Sequence, residues 1–462
     1  MEKTLKQNAL YNILHTLQNV LFPMITAAYL ARTLQPEGVG AVAQARNLVS
    51  YFTMFSLLGL PQYAMREIAR KEEDGDRLYT ELLLLGAVLS GICTLGYWLF
   101  TSWRHPRNGL YQVLVWEAAL QMISIDWFYQ GKGDFRFLTL RSTTEKLVTL
   151  ILILSFVREP GHLQRYCGIG CLGKGIGCLW SLLRARRYAQ ILGRNLKILR
   201  HLRPVLILMA GSAAASLYSK VDITMLGLLA DSRSVAYYVN AHKVITIVVA
   251  LSVAVSGVFL PKLSKEYQTS REQFSESVSL GLKIVLFLAV PCFAGLLLVA
   301  DEVTLLLFGE AFSPCAAVIR WLSPLVLIKG AADMVCYQTL LTSGREKMLI
   351  PAYLVGGCLN ILLNARLIPL WGCIGAAAAS VVSESAVNLL LLAAARRVVR
   401  LKPDCRFGCA VLAGTAAMAT VVGFMKQQWG GSLLVLLLAA GAGAAVYVTT
   451  TILLLKRRND HV

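Results

Sequence analysis

The chain has 462 residues, 56% of them hydrophobic and only 15% charged, with a mean hydropathy of +0.60. A soluble protein of this length would carry about 25% charged residues, and a transmembrane β-barrel would alternate in segments of about ten residues. Both are excluded by the long apolar runs. The formal net charge is +19, but the basic residues sit in short connections between those runs, a pattern that orients a membrane protein and does not imply nucleic acid.

Runs of about 20 apolar residues, enough to cross a bilayer as a helix, recur from end to end. In chain order they fall near 9–31, 38–62, 80–101, 110–129, 141–157 and 166–183, then near 204–229, 235–260, 277–300, 316–341, 348–369 and 371–395. Two more lie near 407–425 and 432–455. The expected fold is therefore an all-α polytopic membrane protein of about 14 transmembrane helices. No cleavable leader is expected, since no small-residue cleavage site follows the first run. Lys and Arg in alternate connections outnumber those in the others by about four to one, which predicts cytoplasmic N- and C-termini.

The stretch 184–203, RARRYAQILGRNLKILRHLR, is the longest between spans. Ile191, Leu192, Leu196 and Leu199 recur at roughly helical spacing among basic residues. It predicts an amphipathic helix on an anionic inner leaflet. The chain then divides into an N-terminal lobe (1–183, spans 1–6), this linker (184–203), a C-terminal lobe (204–396, spans 7–12) and two additional spans with a basic tail (397–462). A shift of 196 residues lays GVGAVAQARNLV on SVAYYVNAHKVI, so that Gln44 meets Asn240 and Asn47 meets Lys243. Pro61 and Pro261 are both expected to end spans. The lobes are read as parallel repeats, a plan that transporters use.

Charges inside spans are costly and face a bundle interior or a cavity. Arg46, Lys220 and Lys243 come from spans 2, 7 and 8. If the lobes face each other across a cleft, these cations converge on it, and their chemistry suits phosphate. Neutralisation by a neighbour is the structural alternative. Asp222, Asp333 and Glu384 are candidates for ion coupling, because buried carboxylates can carry protons. Lys329 and Asp333 are one turn apart and are expected to pair. Tyr11, Asn12, Tyr218, Tyr237, Tyr238 and Asn240 could line a hydrophilic path, with Asn240 the candidate for binding substrate. The eleven cysteines show no CxxC and are read as apolar packing residues. No metal site, cofactor or nucleotide-binding loop is expected.

YLARTLQPEGVGAVAQARNLVSYFTMFSLLGLPQYAMREIAR resembles the start of polysaccharide repeat-unit (Wzx-type) flippases of the multidrug/oligosaccharidyl-lipid/polysaccharide exporter superfamily. LYSKVDITMLGLLADSRSVAYYVNAHKV is similar to that family's seventh and eighth spans, through Tyr218, Asp222, Met225, Leu226 and Gly227, then Val235, Tyr238 and Ala241. FLPKLSKEY, and GCIGAAAASVVSES with Glu384, resemble it as well. The chain departs from the family's Leu-Gly at the end of the first span, where it has Leu34-Gln35. The resemblance implies 12 to 14 spans in two lobes around a cationic cavity. It also implies translocation of undecaprenyl-diphosphate-linked oligosaccharide units across the cytoplasmic membrane by alternating access, with a polysaccharide polymerase and chain-length machinery as partners. The alternatives are a lipid II or multidrug exporter of the same superfamily, or a polysaccharide polymerase. A polymerase would need a large external loop, and all the external loops here are short. A transporter, not an enzyme, is the expectation.

Overall fold

A computed structural model describes residues 2–57, 59–70, 75–191, 196–401, 404–430 and 432–456. The side chains of 2–17, 20, 57, 70 and 210–216 are not among those described. The expected path residues Tyr11 and Asn12 thus fall outside the described side chains. The fold is all-α, with no strand among the described residues. Contacts divide the chain into two compact units, Met1–Gly227 and Leu228–Val462.

The first unit holds α1 (Glu2–Leu57), α2 (Leu60–Arg70), α3 (Gly75–Arg104), α4 (Gly109–Ala119), α5 (Asp126–Gly131) and α6 (Phe135–Phe156). It continues with α7 (Leu163–Ala185), α8 (Leu202–Tyr218) and most of α9 (Val221–Leu229). α1 is two helices joined at Gln35, where φ is 59° and ψ 171°. Pro36 follows and suits the first turn of the second helix, because its φ is already helical and its missing N–H is not needed there. The second half of α1 packs against α3, α4 and α7 around Val42, Ala45, Val49, Tyr97 and Leu114. Val88, Ile92, Leu95 and Leu99 are exposed at helical spacing on α3. Such a stripe is unfavourable in water and suits lipid.

The second unit holds α10 (Ser232–Thr269), α11 (Arg271–Phe308), α12 (Cys315–Leu322), α13 (Pro324–Ala332) and α14 (Gln338–Thr342). It ends with α15 (Leu349–Ala395), α16 (Cys405–Trp429) and α17 (Leu433–Lys456). Asp231 caps α10 by accepting from the Ser234 N–H at 2.8 Å, which holds its carboxyl below the usual carboxylate range. α15 is broken at Gly372, whose φ of 56° and ψ of −130° favour glycine. α16 and α17 form a close hairpin. A Cβ on Gly414 would lie 2.2 Å from Thr451 Oγ1 and 3.0 Å from the Tyr447 carbonyl oxygen, so only glycine permits this approach.

Among the described residues, eight helical segments are long and apolar enough to cross a membrane, from Gly75–Arg104 to Leu433–Lys456. Two expectations change. The 184–203 stretch is not an amphipathic helix in its described part: α7 stops at Ala185 and only a single 3-10 turn, Ile198–His201, follows before α8. Its backbone is held instead by acids of α3, with Gln190 N donating to Asp76 and Lys197 N to Glu81. Pro261 does not end its helix, because α10 continues to Thr269. One proline removes a single N–H donor, and a long helix can absorb that loss. α8 packs with α1 and α2 in the first unit.

Candidate functional site

The three expected cations have different surroundings. In the first unit Arg46 sits on the second half of α1. Its Nη1 donates to Tyr166 Oη at 2.9 Å, its guanidinium lies over the same ring at 4.7 Å, and its Nε is 3.9 Å from Glu117. Tyr166 belongs to α7 and Glu117 to α4, so Arg46 ties three helices together. That is the neutralised-by-a-neighbour arrangement, although the carboxylate contact is loose.

Lys220 lies in the break between α8 and α9. Its Nζ donates to Ser50 Oγ at 2.9 Å. Among the described residues no carboxylate lies within ion-pair distance of it. Asn47 Nδ2 donates to the Lys220 carbonyl at 3.3 Å and to Thr224 Oγ1 at 2.8 Å, and Tyr51 Oη meets Thr224 at 2.7 Å. The Lys220 carbonyl also accepts the Thr224 N–H at 3.3 Å, so these α1 side chains brace the first turn of α9. Ser50 stands one helical turn after Arg46, so Arg46 and the Ser50-bound Lys220 lie along one face of α1. Asp222 follows on α9 and is 8% exposed. Gly227 meets Gln44 so closely that a Cβ would be 3.2 Å from its side chain. Gly227 and Gln44 therefore fix α9 against α1.

In the second unit Lys243 Nζ donates to Asn240 Oδ1 at 3.2 Å, and Asn240 is fully buried on α10. Glu384 on α15 is paired with Lys329 on α13 at 2.7 Å. This corrects the expected Lys329–Asp333 pair. Asp333 opens a π-helical turn, Asp333–Tyr337. Gln338 Nε2 lies 3.4 Å from Asp333 Oδ2.

Sequence reasoning missed several buried polar groups. Arg141, at the start of the expected fifth span, is 6% exposed on α6, with Nη2 on Asp126 at 2.9 Å and Nη1 on Ser181 at 2.7 Å. Glu81, fully buried on α3, accepts from Arg77, Arg200 and His201, and His201 is 2.7 Å from Tyr63 Oη. On α15, Asn364 donates to Asn360 at 2.9 Å and Asn360 to Ser383 at 3.3 Å. The i, i+4 asparagines in an apolar run were the available signal for this ladder. Tyr238 Oη meets Ser380 at 3.0 Å beside it, so its hydroxyl serves helix packing. Among the described residues no three His, Cys, Asp or Glu side chains are grouped to hold a metal.

Comparison with known proteins completes the picture. The family profile described as "Polysaccharide biosynthesis protein" matches residues 5–267, more than half of the chain. The chain belongs to that family. It is a Wzx-type member of the multidrug/oligosaccharidyl-lipid/polysaccharide exporter superfamily, a membrane transporter and not an enzyme. The profile described as "Lipid II flippase MurJ" matches residues 176–441. A protein of Escherichia coli (strain K12), provisionally named an O-antigen transporter, is 23% identical over 401 residues, which is 84% of this chain and 96% of that one. Among solved structures, the lipid II flippase MurJ in an inward closed conformation has a TM-score of 0.79 at 13% identity, covering 96% of this chain and 98% of that one. An inward-facing multidrug resistance MATE family transporter of the MOP superfamily has a TM-score of 0.58 at 14% identity, covering 84% and 94%. These two likenesses establish the fold. The first unit's helices around Arg46 and Lys220 fall within the polysaccharide biosynthesis match.

Proposed function

We propose that this polysaccharide biosynthesis family member flips undecaprenyl-diphosphate-linked oligosaccharide repeat units across the cytoplasmic membrane, supplying capsule, O-antigen or exopolysaccharide assembly. The observation that carries this reading is the end-to-end match to the O-antigen transporter relative, which leaves little of either chain unaccounted for. The relation of this family to flippases supports a lipid-linked glycan as substrate. The cations supply the chemistry for its diphosphate.

In this reading Lys220 is the foremost phosphate ligand, since only a neutral hydroxyl holds its ammonium among the described residues. Arg46 and Lys243 assist, and the Asn240 amide binds substrate. Asp222, Asp333 and Glu384 are the candidates for ion coupling, Glu384 while paired with Lys329. The chain works by alternating access, with two six-helix lobes plus two C-terminal helices, both termini in the cytoplasm, and the lipid tail left in the membrane throughout. A polysaccharide polymerase and chain-length machinery receive the product. A multidrug exporter is disfavoured because cationic binding groups repel cationic drugs.

The test is made in cells. Depleting the protein should cause lipid-linked repeat units to accumulate while surface glycan falls, and re-expression should reverse both. Loss of surface glycan without that accumulation would point to a role in synthesis and overturn the reading.

A further inference from the structure

Away from the charges described above, the second unit has a cleft of about 920 Å³ at one end of the bundle. Its walls are the start of α11, the turn at Arg345 and the segment after α15. Five cations line it: Arg271, Lys283, Arg345, Arg397 and Arg400. Arg271 is stacked on Tyr267 at 3.4 Å, and Lys283 is paired with Asp404 at 2.6 Å. The guanidinium groups of Arg345, Arg397 and Arg400 make no ion pair among the described residues. Glu272 and Glu276 are the acids on the lining.

The cleft has a defined wall. Arg400 N donates to Ser275 Oγ at 3.3 Å, and Val399 is buried in the core that contains Phe274 and Val278. The connection after α15 is therefore anchored to α11. Ser279 and Lys283 also line a second cavity of about 360 Å³. That cavity runs between α11 and α16 along Leu282, Leu286, Val290, Phe407, Val411 and Leu412. A basic cleft thus continues into an apolar groove.

We propose that this pair of cavities is a binding site for an anionic glycerophospholipid, with its phosphate among Arg345, Arg397 and Arg400 and an acyl chain along the α11–α16 groove. The charge selects the ligand. Three arginines without acidic partners outnumber the two lining carboxylates, so a headgroup with net negative charge is favoured over a zwitterion. The apolar continuation selects a lipid over a free phosphate. The expected topology puts this end at the cytoplasmic leaflet, where basic pockets attract anionic lipid. The site uses none of the proposed substrate cations and does not depend on the flippase reading.

The experiment measures lipid retained by the full-length protein in detergent. The probes are phosphatidylglycerol, phosphatidylethanolamine and undecaprenyl phosphate, with glycerol 3-phosphate as the tail-free control. Phosphatidylglycerol should be retained at least tenfold better than phosphatidylethanolamine, and undecaprenyl phosphate should not displace it. At roughly fivefold for each basic residue near the headgroup, the variant R345Q/R397Q/R400Q should lose on the order of a hundredfold. Leu286→Trp, which fills the groove, should weaken phosphatidylglycerol and leave glycerol 3-phosphate binding unchanged. Equal retention of the two phospholipids by the unaltered protein overturns the proposal, whatever the variants do. Displacement by undecaprenyl phosphate at equal or lower concentration also overturns it, and would assign the site to the substrate.

Discussion

The Lys329–Glu384 pair joins α13 to α15, and removing it from each side in turn separates a structural role from ion coupling. The ammonium and carboxylate are 2.7 Å apart, with Lys329 36% and Glu384 14% exposed. Breaking a fully buried pair costs about 3–5 kcal/mol, whereas an exposed pair contributes about 0–1 kcal/mol. With one partner more than a third exposed, water screens much of the interaction. Glu384→Gln should therefore cost about 1 kcal/mol, since Lys329 can rehydrate. Lys329→Met should cost about 2 kcal/mol, because it strands the more buried carboxylate. The double variant should cost less than the sum of the two. The assay is unfolding of the purified protein in detergent for all four members of the cycle, together with the dependence of transport on an ion gradient. Strictly additive losses would refute the pairing argument. A Glu384→Gln variant of full stability that loses gradient dependence would make Glu384 an ion carrier after all.

Three other predictions follow from local geometry. Gln35→Gly should stabilise the protein by about 0–2 kcal/mol, the relief of a backbone strain of about 1–3 kcal/mol less about 1 kcal/mol for the entropy of the new glycine; a lowered melting temperature would contradict this. Gly414→Leu should separate α16 from α17, since even a Cβ there overlaps Thr451, and the hairpin should become open to proteolysis while unaltered protein stays resistant. Lys220→Met should keep normal membrane levels and lose transport, because it strands no carboxylate among the described residues, while Lys220→Arg should retain part of it. Disappearance of Lys220→Met from the membrane would make Lys220 a structural residue.

Much of the helical architecture was legible because apolar runs and their flanking charges are direct consequences of the bilayer. Gln35 stood out in the sequence only as a departure from the resembling family, not as a backbone conformation. It replaces the family's glycine, and the chain there adopts a φ of 59° that glycine would take without strain. The pairing of charges was not legible. Lys329 lies one turn from Asp333 in sequence, yet its ammonium pairs with Glu384, which a distant stretch of the chain supplies. The burial of Arg141 was not legible either, because its partners, Asp126 and Ser181, come from two other helices. The 184–203 stretch had helical spacing, but its backbone N–H groups find acids on α3, and local periodicity carries no information about them. Partner choice across helices depends on rotation and register, which sequence spacing does not specify.

If this chain itself moves a lipid-linked oligosaccharide across a membrane, the protein alone should do so in a vesicle. The purified protein should be reconstituted into sealed vesicles carrying an undecaprenyl-diphosphate-linked oligosaccharide, and the fraction of glycan reached by an added lectin followed over time. The accessible fraction should rise beyond the half exposed at the start with the unaltered protein and stay at the starting level with Lys220→Met. An accessible fraction that never changes, in vesicles shown to contain folded protein and any required ion gradient, would contradict it.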